Sequence, residues 1–583
     1  MKPLRSEQLL KTILFSACAL ALSCRTAPSS QKTSTDKPIE TTNTFLGAVA
    51  ADQQQASDAG KKVLEDGGNA IDAAVATALA LGVVNPNSSG MGGGGFAVVY
   101  DAKKKTTFAY DFRETAPKEL TPEKFVVDGK LDSNLSKAGG LASGVPGEVL
   151  GLETIWKKHG KKNWKDIVLG VAELAKSFTV STFLANTIEF AAPTFPKDST
   201  IEHWAVPKGT PLKSGQSTSR PLLVNTLNEI AEKGSKGFYE GWVAEDLISA
   251  NQKAGGVMTM QDLANFKVVE REPLKGNFFG KNFRTMPMPS SGGVLLLEML
   301  GILEAGKFPL ATWGHRTPES LHVLSEVLKH GFADRSRVLG DTQNSRELSD
   351  KLLNPSRLAT LANTIKLDGV APHENYGDKA LPEPQAWVDD KGTSHFCVVD
   401  AEGNAVALTT TVNGYFGSDV MGPKSGVVLN NQMDDFALKA GVPNMFGLIQ
   451  SEANLVGPGK KPLSSMTPTL VFEEGNVVGC FGGSGGPRII SNTFQVILNV
   501  FAFGLDMKEA VTAPRIHHQW LPNNIVHEEG MTDAVKEKLK AKGHEIKLST
   551  TPTAVQGIVI KDNVPHPASD PRKGGGPSLA TAK

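Results

Sequence analysis

The amino-acid sequence predicts a mixed α/β globular fold, and three observations lead to that prediction. The chain has 583 residues, of which 40% are hydrophobic and 21% charged, as in soluble globular proteins. This length exceeds one ordinary core, so we expect one large layered domain or several packed units. The hydrophobic spacing is mostly helical over residues 150–340 and changes to strand patterns after residue 393.

Charge and cysteine content exclude several kinds of fold and partner. Lysine plus arginine and aspartate plus glutamate both total 61, so the formal net charge is zero. We see no basic stripe that would indicate nucleic-acid binding and no acidic block typical of a solvating tail. Four cysteines in a chain of this length do not predict a disulfide-built fold.

The N-terminus has the pattern of an export signal. Basic residues precede an apolar run at residues 13–22, which is too short to span a bilayer. Cys24 closes an Ala-Leu-Ser-Cys sequence similar to a bacterial lipoprotein signal, although Ala21 stands where leucine is usual. We expect a signal peptide over residues 1–24 and a chain exported to the periplasm or anchored to a membrane. Lipidation of Cys24, simple cleavage and a retained anchor stay open as alternatives.

The globular region is predicted to start at residue 47, after a tether at 25–46 that is rich in serine, threonine, lysine and proline near its start. Helical spacing predicts helices at residues 56–64, 70–84, 321–339 and 489–503, the second being apolar nearly all round. Strands are predicted at residues 96–100, 394–399, 405–412, 426–429, 469–472 and 477–481.

The segment from Thr393 to Asn413 is predicted to be a β-hairpin with a three-residue loop containing Gly403. If Asp400 faces Asn404, then Thr393 faces Thr411, and a bulge would shift this pairing by about one residue. The hairpin therefore places a second threonine hydroxyl beside the first residue of the strand.

Thr393 could act as a nucleophile with its own base if the chain is cut before it. A new N-terminal amine has a pKa of roughly 7.7–8.0, so part of it is neutral and can take the proton of the same residue's hydroxyl. Gly392 offers an unhindered carbonyl for attack by that hydroxyl. The alternative is a plain edge strand whose threonines reflect β-propensity.

The run Gly482-Gly483-Ser484-Gly485-Gly486-Pro487-Arg488 lies between a predicted strand and a predicted helix. Free backbone N–H groups at such a helix start suit an oxyanion hole, while an empty glycine-rich connection is the alternative. The run also matches Gly-x-Ser-x-Gly, which supports a rival α/β-hydrolase with Ser484 as nucleophile. Its partners would come from Asp506 or Asp533 and from His517, His518 or His527.

Other signals point to no cofactor and no metal. Gly90, Gly92 and Gly95 fit a dinucleotide fingerprint, but a strand follows them where a helix is needed. The adjacent histidines at 517 and 518 point apart on a regular element and lack partners at ligand spacing. Cys397 and Cys480 lie on predicted strands and are interpreted as buried small residues.

A series of segments, in order along the chain, resembles the gamma-glutamyltranspeptidase family from about Gly47 to the end. The segments are Gly67-Gly68-Asn69-Ala70-Ile71-Asp72-Ala73-Ala74, Ser88-Ser89-Gly90-Met91, Asp111-Phe112-Arg113-Glu114, Pro289-Ser290-Ser291-Gly292-Gly293, Thr393-Ser394-His395-Phe396, Asn430-Asn431-Gln432-Met433-Asp434-Asp435-Phe436 and Pro462-Leu463-Ser464-Ser465-Met466-Thr467-Pro468. Such an ordered series is far more specific than any one motif.

The resemblance implies an N-terminal-nucleophile αββα sandwich and a zymogen that cuts itself between Gly392 and Thr393. The products would be a large subunit, 47–392, and a small subunit, 393–583. The implied activity is that of a gamma-glutamyl hydrolase and acyltransferase of glutathione metabolism, which passes the glutamyl group from Thr393 to water or to an amine. Its partners would be small gamma-glutamyl compounds such as glutathione.

The resemblance also implies a role for each candidate residue. Arg113, Ser464 and Ser465 would hold the substrate α-carboxylate, and Asn413, Gln432 and Asp435 its α-amino group. Gly485 and Gly486 would supply oxyanion N–H groups, and Thr411 would support Thr393. An arginine is a two-pronged donor for a carboxylate, and carboxylate and amide oxygens suit an ammonium.

Several positions depart from the family pattern. Ser394 replaces the usual second threonine, Cys397 a serine, and the order of residues 483–487 differs from the common Ser-Pro-Gly-Gly-Ser. Phe446 stands where many members carry a tyrosine in the lid over the site. An acylase of the same fold, a serine hydrolase at Ser484 and a non-catalytic surface lipoprotein stay as alternatives. An acylase for substrates without an α-amino group would leave the polar set around Asp435 unpaired.

Overall fold

This computed structural model describes residues 45–372, 376 and 392–582. The predicted signal peptide, Cys24 and nearly all of the predicted tether lie outside the described residues. The described residues pack as one compact unit. Its first strand begins at Phe45, two residues before the predicted start of the globular region.

The part of the chain before residue 372 is mainly helical. Its strands are β1 (Phe45–Ala51), β2 (Gly94–Asp101), β3 (Thr106–Phe112), β4 (Val126–Val127), β5 (Lys130–Leu131), β6 (Phe178–Thr179), β7 (Ser217–Thr218), β8 (Val269–Arg271), β9 (Leu274–Phe278) and β10 (Lys281–Thr285). Its helices are α1 (Gln54–Glu65), α2 (Ala70–Val84), α3 (Glu148–His159), α4 (Trp164–Lys176), α5 (Thr182–Ala191), α6 (Thr200–Ala205), α7 (Pro221–Lys233), α8 (Lys236–Tyr239), α9 (Gly241–Lys253), α10 (Met260–Asn265), α11 (Ser291–Gly306), α12 (Leu310–Trp313), α13 (Pro318–Val338), α14 (Ser345–Leu352) and α15 (Pro355–Thr364).

The part from residue 392 onward is richer in strands, as the sequence predicts. Its strands are β11 (Gly392–Asp400), β12 (Ala405–Asn413), β13 (Thr469–Glu473), β14 (Asn476–Ser484), β15 (Ile516–His517), β16 (Ile525–His527), β17 (Ile546–Leu548), β18 (Ala554–Lys561), β19 (Val564–Ser569) and β20 (Gly576–Thr581). Its helices are α16 (Arg488–Phe501), α17 (Met507–Thr512) and α18 (Asp533–Ala541).

Two antiparallel sheets form the centre of the molecule. The first has seven strands in the order β20-β1-β11-β12-β2-β3-β8, and the second has six in the order β19-β18-β14-β13-β10-β9. Each sheet contains strands from both parts of the chain. A cut at residue 392 would therefore leave two chains that share both sheets.

Four layers follow from the two faces of each sheet. Alternate residues of β11 point to opposite faces, so that Phe396 and Val398 pack under helices while Cys397 and Val399 pack between the sheets. Helices including α1, α2 and α4 cover the first sheet, and α11, α13 and α16 cover the second. The predicted αββα sandwich is confirmed.

Helix α2 shows how the sequence specifies a buried layer. Its residues are apolar on nearly every side, Asp72 and Thr77 excepted, and all of them are buried. The Asn69 side chain accepts from the N–H groups of Ile71 and Asp72, and the Asp72 side chain accepts from the Asn69 N–H. This capping box starts the helix at the predicted residue.

Two sequence interpretations were wrong. Residues 426–429 form no strand, because Gly426 has a φ of +67° and the segment closes on its own loop through an isolated Met421–Val428 bridge. Cys397 and Cys480 are buried, but they form a disulfide with Cα atoms 5.9 Å apart. The two cysteines are 83 residues apart in sequence and meet only because β11 stacks on β14, so the sequence pattern did not predict the bond.

Among the described residues, no helix combines the length and the apolar character that a membrane crossing requires.

Candidate active site

The strand start that carries Thr393 is fixed by the β11–β12 hairpin. Thr393 pairs with Thr411, as predicted, and a bulge between Gly392 and Thr393 places Gly392 opposite Asn413. A Cβ on Gly392 would lie 2.2 Å from the Gly414 carbonyl oxygen. Only glycine therefore fits at the residue before Thr393.

Thr411 is at the centre of three hydrogen bonds around the Gly392–Thr393 peptide. Its hydroxyl donates to the Gly392 carbonyl oxygen at 2.7 Å, and its oxygen accepts from the Asn413 N–H at 2.8 Å. The Thr393 and Thr411 hydroxyl oxygens are 3.0 Å apart. Because a hydroxyl has one proton, and that of Thr411 goes to the carbonyl, Thr393 is the donor in this third bond. A proton path therefore runs from Thr393 through Thr411 to the Gly392 carbonyl oxygen.

The stacking of β11 on β14 places Thr393 near the glycine-rich loop. The Cys397–Cys480 disulfide joins the two strands. Two residues along each strand, a Cβ on Gly482 would lie 2.2 Å from the His395 ring. Continuing this alignment by two more residues puts Thr393 opposite residue 484, directly before Gly485.

The loop between β14 and α16 has the geometry of an anion site. Gly485 and Gly486 have φ values of +130° and +51°, which favour glycine. Their carbonyl oxygens accept from the N–H groups of Arg488 and Ile489, whereas their own N–H groups make no hydrogen bond to another described residue. Two such N–H groups at a helix start can stabilise an oxyanion.

Arg113 and Asp435, which the sequence assigns to opposite ends of the substrate, form a buried ion pair with each other. Arg113 is 1% exposed, and its Nε donates to the Pro462 carbonyl oxygen at 3.2 Å. A zwitterionic α-amino acid carries the same two charges. Its carboxylate would take one partner and its ammonium the other.

Of the polar residues predicted to hold the α-amino group, Gln432 binds Asp435 directly and Asn413 binds the backbone just before Gln432. The Gln432 amide donates to the Asp435 carboxylate at 2.6 Å, while Gln432 Oε1 is buried without a hydrogen-bond partner among the described residues. Asn413 donates to the Asn431 carbonyl oxygen at 3.0 Å. An ammonium would satisfy the free amide oxygen.

Ser464 and Ser465 are both buried, at 1% and 8% exposure. The Ser464 oxygen accepts from the Met466 N–H at 3.0 Å, and the Ser464 carbonyl oxygen accepts from Ser291. Ser464 is thereby held on a turn after Pro462, whose carbonyl oxygen binds Arg113.

Phe446, the residue that differs from the usual lid tyrosine, is buried. Its side chain is 3% exposed and belongs to the same core cluster over the second sheet as Leu448 and Ile449. Met445, the preceding residue, has its sulfur 3.9 Å from Asn413 Nδ2. Among the described residues, the predicted lid segment therefore contacts the site through a methionine.

Burial sets the protonation of the carboxyl groups behind β12. Burial, together with the neighbouring charge of Glu114, raises the pKa of Glu148 to about 8 despite a hydrogen bond from Thr410. Burial likewise raises the pKa of Glu114 to about 7, against the lowering effect of Arg113. Glu148 is therefore mostly protonated at neutral pH and adds little charge beside Thr411.

A sequence model of the gamma-glutamyltranspeptidase family matches residues 56–580, nearly the whole chain. The chain belongs to this family.

Curated relatives include the "Glutathione hydrolase proenzyme" of Escherichia coli (strain K12), which is 38% identical over 530 residues and aligns over 90% of each chain. "Glutathione hydrolase 2" of Arabidopsis thaliana is 39% identical over 567 residues, covering 93% of this chain and 95% of the relative. The similarity to these relatives thus spans both parts of the predicted precursor.

Solved structures agree with this assignment. The gamma-glutamyltranspeptidase of Helicobacter pylori is 36% identical and covers 57% of this chain and 96% of its own, with a TM-score of 0.54. A cephalosporin acylase from Bacillus halodurans has a TM-score of 0.79 over 95% of this chain and 98% of its own, but only 24% identity. The second likeness shows a shared fold alone.

The rival nucleophile Ser484 is poorly placed for a serine hydrolase. It is fully buried, and its candidate histidines bind other groups. His517 binds Ser491 and Gln519, His518 accepts from the Trp520 N–H, and His527 binds the Glu528 carbonyl oxygen. None of these printed contacts within the described part of the chain joins Ser484 to a histidine, which agrees with the interpretation of Ser484 as a turn residue.

The structure brings together three possible metal ligands that the sequence analysis did not consider, His322, Glu326 and His544. His322 and His544 already share a hydrogen bond of 2.7 Å, and Glu326 is paired with Lys329 and bonded to Tyr376. These groups satisfy one another without an ion. The i, i+4 spacing of His322 and Glu326 on a helix was the available sequence signal.

Sequence reasoning also missed two basic residues near the candidate active site, Arg335 and Lys573. Arg335 is buried, interacts electrostatically with Asp435, and donates to Ser291 at 3.1 Å. Lys573 is fully buried and donates to the Thr393 carbonyl oxygen at 3.3 Å. Neither stands in a segment that carried the family resemblance, so no sequence pattern pointed to them.

Proposed function

We propose that this chain is a self-processing gamma-glutamyl hydrolase and transferase that acts on glutathione and related gamma-glutamyl amides. The observation that carries the proposal is the hydrogen-bonded set of Thr393, Thr411 and the Gly392 carbonyl at the start of β11. It supplies a nucleophile, a proton path and a polarised carbonyl at one peptide bond. Family membership supports the same chemistry.

Self-cleavage begins when the Thr393 hydroxyl oxygen attacks the Gly392 carbonyl carbon. The proton of that hydroxyl moves to Thr411, and the Thr411 proton moves to the carbonyl oxygen. The carbon–nitrogen bond then breaks as the hydroxyl formed on that carbon gives up its proton to the nitrogen, which restores the carbonyl, and an ester links Gly392 to the Thr393 oxygen. Water opens the ester, which gives a carboxylate at Gly392 and a free amine and hydroxyl at Thr393. The products are the large subunit, ending at 392, and the small subunit, 393–583.

Turnover uses the same residue again. The Thr393 amine takes the hydroxyl proton, and the oxygen attacks the gamma-glutamyl carbonyl carbon to form a tetrahedral oxyanion. The N–H groups of Gly485 and Gly486 stabilise the oxyanion, and the protonated amine gives its proton to the leaving amine. Water or an amino acid or peptide then takes the glutamyl group from the ester.

The polar set around Asp435 favours gamma-glutamyl over glutaryl donors. Gln432 lies beside this carboxylate with its amide oxygen unpaired among the described residues, and a substrate without an α-amino group leaves that oxygen and the carboxylate without an ammonium partner. A site built for hydrogen bonds can reject such an analogue by up to about 10⁴-fold. We expect this difference in kcat/KM between gamma-glutamyl and glutaryl anilides. Equal turnover of the two would favour the acylase alternative.

The decisive experiment follows purified recombinant chains on a denaturing gel with N-terminal sequencing, without added protease. Thr393→Ala should stay full length and inactive, whereas Thr393→Ser should cleave, more slowly, and keep some activity. Ser484→Ala is the matched control and should mature normally. Cleavage of Thr393→Ala at 392/393, or loss of turnover in a mature Ser484→Ala enzyme, would contradict this proposal and favour the serine-hydrolase hypothesis.

We further propose that the chain is exported, through the signal at residues 1–24. The buried Cys397–Cys480 disulfide supports an oxidising compartment, since such bonds are rare in the cytosol. The mass of the mature N-terminus would distinguish lipidation of Cys24 from cleavage or a retained anchor. Recovery of an unprocessed N-terminus in the cytosolic fraction would contradict export.

A further inference from the structure

Lys573 is a buried cation in direct contact with the nucleophilic residue. It ends a single 3₁₀ turn, Pro571–Lys573, between β19 and β20, and is 0% exposed. Its Nζ donates to the Thr393 carbonyl oxygen at 3.3 Å. Its backbone is fixed by Gln53, whose amide donates to the Lys573 carbonyl oxygen at 3.0 Å.

We propose that Lys573 is a positioning residue that holds the Thr393 backbone and keeps the α-amine of the mature enzyme neutral. The inference rests on the proposed function, in which that amine is the general base. It adds a residue whose charge sets the fraction of active base. Self-cleavage creates the amine at a place where a cation already stands.

The effect of Lys573 on the pKa of the Thr393 amine follows from the short distance between the two groups. In an extended residue the nitrogen and the carbonyl oxygen are only about 3 Å apart, so an ammonium bound to that oxygen lies close to the amine. A second positive charge there is disfavoured, which lowers the pKa of the amine. At its ordinary pKa, only about a tenth of an α-amine is neutral at pH 7. A decrease of about one unit would make nearly half of it neutral.

The surroundings favour a charge fixed at Lys573. Its Nζ lies 5.4 Å from the centre of the Phe183 ring, a contact that attracts a cation and excludes water. A buried ammonium beside a carbonyl and a ring has few other positions to adopt. The charge therefore stays close to Thr393.

Other charges near the amine partly cancel. The Asp52 carboxylate accepts a hydrogen bond from Gln556 and interacts electrostatically with Lys573. Burial raises the pKa of Asp52 to about 6, so this carboxylate is anionic at neutral pH. Asp570, which also acts on Asp52, is paired with Arg515 and Arg572. The ion pair of Arg113 and Asp435 is likewise internally neutralised. Of these groups, Lys573 makes the direct contact with Thr393.

The test compares the pH dependence of kcat/KM for a gamma-glutamyl anilide in mature wild type, Lys573→Met and Lys573→Arg. In Lys573→Met, loss of the charge should move the pH at which kcat/KM rises upward by about one unit. At pH values below this rise, kcat/KM of Lys573→Met should be about 10-fold lower than that of wild type, and above the rise the two should be nearly equal. Lys573→Arg should restore the wild-type pH profile. A parallel loss at every pH, or an unchanged profile, would overturn the inference. An inactive wild type would instead overturn the proposed function.

A second measurement needs no variant, in case Lys573→Met does not mature. The rate at which cyanate modifies the Thr393 amine of mature wild type, followed by mass spectrometry across pH, reports the pKa of that amine directly. The inference expects a value below the ordinary range of about 7.7–8.0. A value within or above that range would refute it.

Discussion

The Cys397–Cys480 disulfide should be a major source of stability in the mature protein. It closes a loop across a separation of 83 residues, and both cysteines follow residue 393, so cleavage at 392/393 leaves the loop closed. The loop-closure entropy removed from the unfolded chain corresponds to about 4.5 kcal/mol at 25 °C for a loop of this length. Because the bond joins the two sheets between β11 and β14, it also holds the nucleophile strand against the glycine-rich loop.

The assay is urea unfolding of oxidised and fully reduced wild type, which isolates the bond from any change of side chain. Reduction should lower the free energy of unfolding by up to about 4.5 kcal/mol. The double variant Cys397→Ala/Cys480→Ala should lose a similar amount and should not respond to reductant. Thiol counting by mass spectrometry should find neither cysteine free in the native small subunit. A free thiol at either position, or identical unfolding with and without reductant, would refute the reasoning.

Three further outcomes are expected. Arg113→Lys should mature normally but lose about 1.5–3 kcal/mol of transition-state binding, measured as kcat/KM on a gamma-glutamyl anilide, because a bidentate donor is removed; unchanged kinetics would sink the assignment. Thr411→Val should slow self-cleavage about 10²–10³-fold, as followed on gels, whereas Thr411→Ser should cleave readily, since only the latter keeps the donor to the Gly392 carbonyl; equal rates would contradict this role. Burial lowers the pKa of His395 to about 3, so the unfolded state binds the extra proton between about pH 6.5 and 3 and stability falls as pH falls through that window. Between pH 7.5 and 5, wild type should therefore lose about 2 kcal/mol more than His395→Gln in urea unfolding, and equal losses would exclude the histidine as the cause.

Local features of the fold could be predicted from the sequence because they depend on neighbours along the chain. The register that pairs Thr393 with Thr411 follows from a short loop and the two-residue repeat of strands. Helix α2 follows from an apolar run behind an Asn69 cap. Residues 426–429 show where such local prediction fails. Their apolar pattern predicted a strand, but the segment folds back on its own loop through the Met421–Val428 bridge.

The chemistry of the site was indicated by sequence segments, but its arrangement was decided by the stacking of two sheets. The sequence was enough to predict the nucleophile candidate, the αββα class through the family resemblance, and the polar residues Asn413, Gln432 and Asp435. The folded protein was needed to show that Cys397 pairs with Cys480 and that Lys573 contacts the carbonyl oxygen of Thr393, 180 residues away in sequence. Contacts of this kind depend on which faces pack together when strands from distant parts of the chain come into contact. A local sequence pattern contains no information about that packing.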